Sequence, residues 1–240
     1  MLQDTLKWVW LAGICLQIVL AVLLVVRRVW RKFPVFSLYF IFNLLLSGVL
    51  FLLSITQVLR PRVYFYFYWI SEELVLALGL AVVFEVLVRL LIPYPTIKKT
   101  VMPACFLAIA LLAVFDVIVI CTHHSAGAIG RMVPFLRAEE AVRVLQAGMV
   151  VFLYLCAGFF RLRLRQVEFG IALGMGVYAA LQLIVVVMMA HLGWSALFTT
   201  SLLGMLAFDV AVMIWLRYLA AAPVPRWAGH GPDSRHEPDR

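Results

Sequence analysis

Seven long runs of apolar residues, separated by short polar stretches, make up most of the chain. An α-helix rises about 1.5 Å per residue, so roughly 20 residues cross the ~30 Å hydrocarbon core of a bilayer. Each run has about that length, which predicts an all-α polytopic membrane protein built as a bundle of seven transmembrane helices. The predicted spans are 8–26, 35–55, 66–91, 101–121, 138–160, 169–190 and 196–217.

Basic residues favour the connections on one side of the predicted bundle. Arg27, Arg28, Arg31 and Lys32 follow the first run, and Arg161, Arg163 and Arg165 follow the fifth. Because basic loops stay in the cytoplasm, we expect the N-terminus outside and the C-terminus inside, with the inner (plasma) membrane as the location. The first run lacks the basic flank and cleavage site of a signal peptide.

Composition supports one membrane domain with a short tail. Of the 240 residues, 65% are hydrophobic and only 13% are charged, about half the charge of a soluble domain. Residues 1–218 are therefore predicted to form the transmembrane domain. Residues 219–240, rich in Pro, Gly and mixed charges, are predicted to be a disordered cytoplasmic tail.

The net charge of +8 points to lipid rather than to nucleic acid, because the basic residues lie in short loops between apolar runs. We expect anionic lipid head groups and a membrane or cytoplasmic protein as partners of the cytoplasmic loops, and no nucleic acid. The four cysteines, Cys15, Cys105, Cys121 and Cys156, form no CxxC pair and are interpreted as small apolar side chains.

The third run carries the most charge inside an apolar span. Glu85 and Arg89 are four residues apart with the acid first, the favourable order for an ion pair, and we interpret them as a structural pair. Glu72 and Glu73 have no such local partner. A carboxylate costs a few kcal/mol in a bilayer, so we predict that this helix forms an inner wall of the bundle.

Other spans carry polar residues at helical spacing. Asn43 and Ser47 share a face of the second span. Glu139, Arg143 and Gln146 share a face of the fifth. Gly170, Gly174, Tyr178 and Gln182 follow at intervals of four in the sixth, where small residues would let another helix approach closely.

These positions define a hypothesis: a cavity open to the outer face that takes up a proton, a cation or a small polar ligand. Its candidate residues are Glu72, Glu73, Asp116, Glu139, Glu140, Arg143, Gln146, Tyr178, Gln182 and Asp209. One arginine cannot neutralise four glutamates, so some must be protonated, hydrated or bound to a cation. Asp209 is expected in the inner half of its span. The alternative is a set of loop-edge charges that share one side.

No cofactor is predicted. His123, His124 and His191 lie towards the outer edge and are the candidates for a divalent metal, or for the two axial ligands of a haem. No lysine lies in the last span for a retinal Schiff base, and no Walker A, GxSxG or HExxH motif is present. No catalytic residue is assigned.

Three segments resemble known families. Glu139 to Arg143 resembles the EExxxR motif of CAAX-processing intramembrane proteases, but the arginine comes one residue early and the later histidine motifs are absent. The stretches YWISEE…FEVLVRLLIPYP and RQVEFGIALGMGVYAALQL are similar to segments of uncharacterised bacterial seven-helix integral membrane proteins. Spans three to six also resemble, distantly, the seven-helix input regions of bacterial sensor proteins. These resemblances imply a seven-helix bundle and transfer no activity.

We therefore expect a receptor-like or accessory membrane protein, for sensing or scaffolding, with a polar outer cavity. A small proton- or cation-coupled transporter is the alternative, and an intramembrane metal-dependent enzyme comes third.

Overall fold

The computed structural model describes residues 2–56, 60–92, 94–122, 128–159, 165–192 and 197–221. Within these ranges the chain is almost entirely α-helical, which confirms the all-α prediction. The helices are α1 (Leu2–Val26), α2 (Val29–Lys32), α3 (Pro34–Thr56), α4 (Pro61–Leu91), α5 (Pro95–Thr122), α6 (Ala128–Phe159), α7 (Gln166–Leu192) and α8 (Leu197–Ala221). The predicted tail lies, from residue 222 onwards, outside the described residues.

Six helices in the described part of the chain are long and apolar enough to cross a membrane, as expected of a multi-pass membrane protein. They are α1, α3, α4, α6, α7 and α8. The predicted span 101–121 coincides with α5, whose described apolar stretch is the shorter Val101–Leu111. The count of seven spans therefore stays a prediction.

The starts of the helices follow local sequence signals. Pro34, Pro61 and Pro95 are the first residues of α3, α4 and α5, where the missing N–H of proline removes no helical hydrogen bond. At α7, Glu168 Oε2 accepts a hydrogen bond of 3.2 Å from the backbone N–H of Arg165, which is one of the two bonds of a capping box. Such signals lie outside the apolar runs, so the helices extend beyond the spans predicted from hydrophobicity.

The six long apolar helices close into a ring. Neighbours contact each other in the order α1, α3, α4, α6, α7, α8 and back to α1. Helix α5 packs against α4 and α6, on the outside of that ring. Among the six, α4 has the largest buried share and contacts α3, α5, α6 and α7, as expected for an inner wall.

Helices α1 and α8 run parallel, as two contacts show. A side-chain carbon built at Gly13 would lie 2.9 Å from Asp209 Oδ1. Just beyond the last residue of α1, Arg27 Nη2 donates a 2.9 Å hydrogen bond to the Ala220 carbonyl near the end of α8. We call the end of the bundle where α1 begins the N-terminal end, and the end where α1 and α8 finish the C-terminal end.

Aromatic side chains fill the half of the bundle nearer the C-terminal end. The fully buried Trp215 of α8 meets Phe36 of α3 edge to face, with ring centroids 5.2 Å apart. Phe40 and Phe208 make further edge contacts at 6.3 Å and 6.1 Å. The indole N–H donates to the Ile171 carbonyl of α7 at 3.3 Å, so its single polar atom is satisfied.

Glycines let α7 and α8 approach closely. A side-chain carbon at Gly174 would collide with the indole of Trp215, and one at Gly170 would collide with Tyr218. The close approach that the glycine spacing predicts is therefore confirmed, with α8 as the neighbour.

Glu85 has a role that spacing alone does not reveal. Its carboxylate accepts hydrogen bonds from the backbone N–H groups of Phe36 at 3.0 Å and Val35 at 3.4 Å. It thus caps the first turn of α3, which has free N–H donors. Arg89 Nη2 lies 3.8 Å from Glu85 Oε1, with its guanidinium 4.6 Å from the Phe33 ring centre.

We predict that Gly174→Ala destabilises the protein because its methyl group must displace Trp215 from the aromatic core. Overpacking of this kind costs about 1–3 kcal/mol. The matched control is Gly48→Ala in α3, where nothing lies within 4 Å of an added carbon and stability should be unchanged or slightly higher. Thermal unfolding in detergent measures both, and equal melting temperatures would contradict the packing described.

Candidate functional site

A buried arginine lies at the centre of the site. Arg143 of α6 has only 1% of its side chain exposed. Its Nη2 lies 3.5 Å from Glu139 Oε1, one turn earlier on α6, and 3.7 Å from Glu72 Oε1 on α4. The guanidinium therefore lies between carboxylates of two helices.

Helix α7 supplies the third side of this cluster. The guanidinium carbon of Arg143 lies 4.8 Å from the centre of the Tyr178 ring, a cation–π distance. The Tyr178 hydroxyl accepts a 3.2 Å hydrogen bond from Gln182 Nε2, one turn further on. We call Glu72, Glu139, Arg143 and Tyr178 the arginine cluster.

A cavity of about 560 Å³ adjoins the arginine cluster on the side of the N-terminal end. All six helices of the ring contribute to its walls. Its polar lining includes Gln17, Asn43, Glu72, Glu139, Gln182 and Asp209. Small-molecule sites in proteins have volumes of about 300–1,000 Å³, so the cavity is large enough for a small organic ligand.

Two further polar side chains lie deeper in the bundle. Gln146 of α6 is fully buried, and within the described ranges neither its Oε1 nor its Nε2 has a hydrogen-bond partner. The same holds for the Tyr39 hydroxyl. A side-chain carbon at Gly79 would lie 3.2 Å from Gln146 Nε2 and 3.5 Å from the Tyr39 ring, so Gly79 makes room for both.

The structure brings only part of the predicted candidate set together. Glu72 and Glu139 converge on Arg143, whereas Glu140 is exposed, Glu73 is half-buried, and neither lines the cavity. Consecutive residues of a helix point about 100° apart, so only one acid of each adjacent pair can face the same site.

Asp209 lines the same cavity as Glu72 and Glu139. Because α8 extends to Ala221, Asp209 lies at the middle of the helix, and its position in the inner half of the membrane span stays a prediction. Gly13 of α1 leaves space for its carboxylate.

Gln17 and Thr200 also line the cavity, although the sequence hypothesis did not include them. Gln17 is 4% exposed and Thr200 is 2% exposed. The sequence carried one signal for Gln17. It is the only strongly polar residue of the first predicted span, and Gly13 lies four residues earlier on the same face of α1.

Of the predicted metal and haem ligands, only His191 lies in the described part of the chain. There, no three His, Cys, Asp or Glu side chains lie close enough together to hold a metal ion. His191 is exposed at the end of α7. His123 and His124 lie outside the described residues, and so does the side chain of Asp116 within α5. Cys15, Cys105 and Cys156 are free thiols.

Comparison with known proteins gives no relative: no family model, no curated protein and no solved structure matches the chain.

We predict that Arg143→Met strongly destabilises the protein because it leaves Glu72 and Glu139 buried without their cation. Removing one partner of a buried ion pair costs about 3–5 kcal/mol. Adding Glu72→Gln to Arg143→Met should restore part of the loss, since it removes one of the two uncompensated carboxylates. Melting temperatures of the single and double variants measure this coupling.

Arg137→Met is the control on the same helix, because Arg137 is exposed. Its melting temperature should stay close to that of the wild type. Equal effects of Arg137→Met and Arg143→Met, or no rescue by Glu72→Gln, would show that the arginine cluster does not stabilise the bundle.

Proposed function

We propose that the protein is a receptor-like or accessory protein of the inner (plasma) membrane that binds a small polar ligand in the cavity beside the arginine cluster. The observation that carries the proposal is the cavity of about 560 Å³ lined by polar side chains from six helices. Polar residues inside a membrane are expensive unless they serve a site or a partner. Here the polar side chains of six helices line one cavity.

Charge supports the orientation in which the N-terminal end faces outwards. Arg27, Arg28, Arg31 and Lys32 lie at the C-terminal end, where α1 finishes, and the positive-inside rule assigns that end to the cytoplasm. A ligand would then enter from outside. The basic C-terminal end would meet anionic lipids or a protein partner, as a sensor or scaffold requires.

Packing favours a receptor over a carrier. Between the cavity and the C-terminal end lies the aromatic core around Trp215, with Phe36 and Leu87 fully buried. A receptor needs access from one side only, whereas a carrier must open this core during each transport cycle.

A proton- or cation-coupled transporter is the second candidate. Its support is the arginine cluster, in which two carboxylates share one guanidinium. The carboxylate that the guanidinium does not neutralise could exchange a proton or a cation. The third candidate, an intramembrane metal-dependent enzyme, draws no support from the described residues, where no metal-ligand cluster is found.

We predict that a cysteine in the cavity reacts with a membrane-impermeant methanethiosulfonate reagent added to intact cells. Ser47→Cys is suited to this test because Ser47 lines the cavity. Leu45→Cys is the matched control, since Leu45 lies two residues earlier on α3 and is 63% exposed on the apolar outer surface. A thiol in lipid does not ionise and should stay unreactive.

Both variants are made in a chain whose four native cysteines are replaced by serine or alanine. Labelling of Ser47→Cys alone supports an outward, water-filled cavity. Labelling of Ser47→Cys only in inverted vesicles would show that the cavity opens to the cytoplasm, the opposite of the proposed orientation. If Ser47→Cys reacts from neither side, or no faster than Leu45→Cys, the proposed ligand-binding function is wrong.

A further inference from the structure

We infer that the ligand of the cavity is an organic cation of the alkylammonium or arylalkylammonium class. This inference rests on the proposed function, because it names the chemistry of the molecule that the cavity takes up. Three independent features of the cavity wall lead to it: its charge, its hydrogen-bonding groups and its aromatic rings.

Charge is the first feature. Three carboxylates, those of Glu72, Glu139 and Asp209, line the cavity, and no Lys, Arg or His is among the described residues of its wall. Arg143 lies behind Glu72 and Glu139. Three carboxylates and one guanidinium, counted with full charges, leave two negative charges in an apolar bundle. A cationic ligand would supply opposite charge where its electrostatic attraction is strong.

Hydrogen bonding is the second feature. Gln17 is 4% exposed and lines the cavity, and no donor in the described part of the chain reaches its Oε1. A buried acceptor without a donor costs about 1–3 kcal/mol. A ligand that carries N–H groups would satisfy it.

Other amides of the wall use a donor inside the protein. Asn43 Nδ2 donates to the Tyr39 carbonyl at 3.1 Å, and Gln182 Nε2 donates to the Tyr178 hydroxyl at 3.2 Å. Each bond occupies one N–H group of the amide with a partner inside the protein. The three carboxylates and Gln17 Oε1 remain as acceptors that a donor-bearing cation would satisfy and an anion would not.

Aromatic rings are the third feature. Trp10, Tyr64, Trp69, Tyr178 and Phe208 are among the lining residues. Aromatic faces attract organic cations and contact their carbon atoms, and Tyr178 already holds the Arg143 guanidinium in this way. An inorganic divalent ion would instead need several close oxygen ligands, and the described residues contain no group of three His, Cys, Asp or Glu side chains that could hold one.

The test uses the full-length protein in lipid nanodiscs and three probes of similar shape. They are 2-phenylethylammonium, neutral 2-phenylethanol and anionic 3-phenylpropionate, titrated by calorimetry against protein-containing and empty nanodiscs. We expect the ammonium probe to bind at least about tenfold more tightly than the other two, because only it forms charge-assisted hydrogen bonds with the acceptors.

Two variants identify the site. Asp209→Asn removes a cavity charge, and Gln17→Leu removes the unpartnered acceptor; each should weaken binding of the ammonium probe about tenfold. The control is Glu168→Gln, which removes a negative charge at the opposite end of α7 while Gln keeps the capping interaction. Its affinity should equal that of the wild type.

Each result decides the inference. Tighter binding of the alcohol or the carboxylate overturns the cationic class but leaves a ligand-binding cavity. If Glu168→Gln and Asp209→Asn weaken binding of the ammonium probe equally, the inference is also overturned, because the affinity would then depend on the overall charge of the protein. If no probe binds while Ser47→Cys is labelled, the inference alone is wrong. If no probe binds and Ser47→Cys is unreactive, the proposed function is wrong with it.

Discussion

Arg143 is a permanently charged side chain with 1% exposure in a helix long and apolar enough to cross a membrane. A guanidinium in such a place costs several kcal/mol unless charges and hydrogen-bonding groups surround it. Glu139 on its own helix and Glu72 on α4 supply the opposite charges, and Tyr178 on α7 supplies a ring face, while Nε and Nη2 have no hydrogen-bond partner among the described residues. Because these partners come from three helices, the charge fixes how α4, α6 and α7 face one another.

The two halves of the bundle differ in how they use the space between the helices. Near the C-terminal end, Trp215 and its aromatic neighbours fill it, and Gly174 lets α7 and α8 close together. Near the N-terminal end, polar residues from six helices leave a cavity of about 560 Å³. The arginine cluster lies between the packed half and the cavity. A ligand that changed the net charge of the arginine cluster would therefore alter how α4, α6 and α7 pack. Sensing through the helices would use that coupling.

Hydrophobicity predicted the all-α class and most helix positions, because about 20 apolar residues have few alternatives to a membrane helix. Helical spacing predicted that Glu139 and Arg143 share a face of their helix, and it predicted the close contact at Gly170 and Gly174. It could not say which acid of each adjacent pair turns inwards, so Glu73 and Glu140 were included with Glu72 and Glu139. Glu85 and the first turn of α3 lie 49 positions apart in the chain, and helical spacing within one span gives no signal for their contact.

The central claim is that one guanidinium binds two carboxylates from different helices. Rotational-echo double-resonance NMR of the protein in lipid, with ¹³C-labelled glutamate carboxyls and ¹⁵N-labelled arginine side chains, measures this directly. Nη2–Oε1 separations of 3.5 Å and 3.7 Å predict that two carboxyl signals lose their dephasing in Arg143→Lys. The signal of Glu85, 3.8 Å from Arg89 Nη2, stays dephased in both proteins. Glu72→Gln and Glu139→Gln should each remove one of the two signals that Arg143→Lys affects. Identical dephasing in the wild type and in Arg143→Lys would contradict the account.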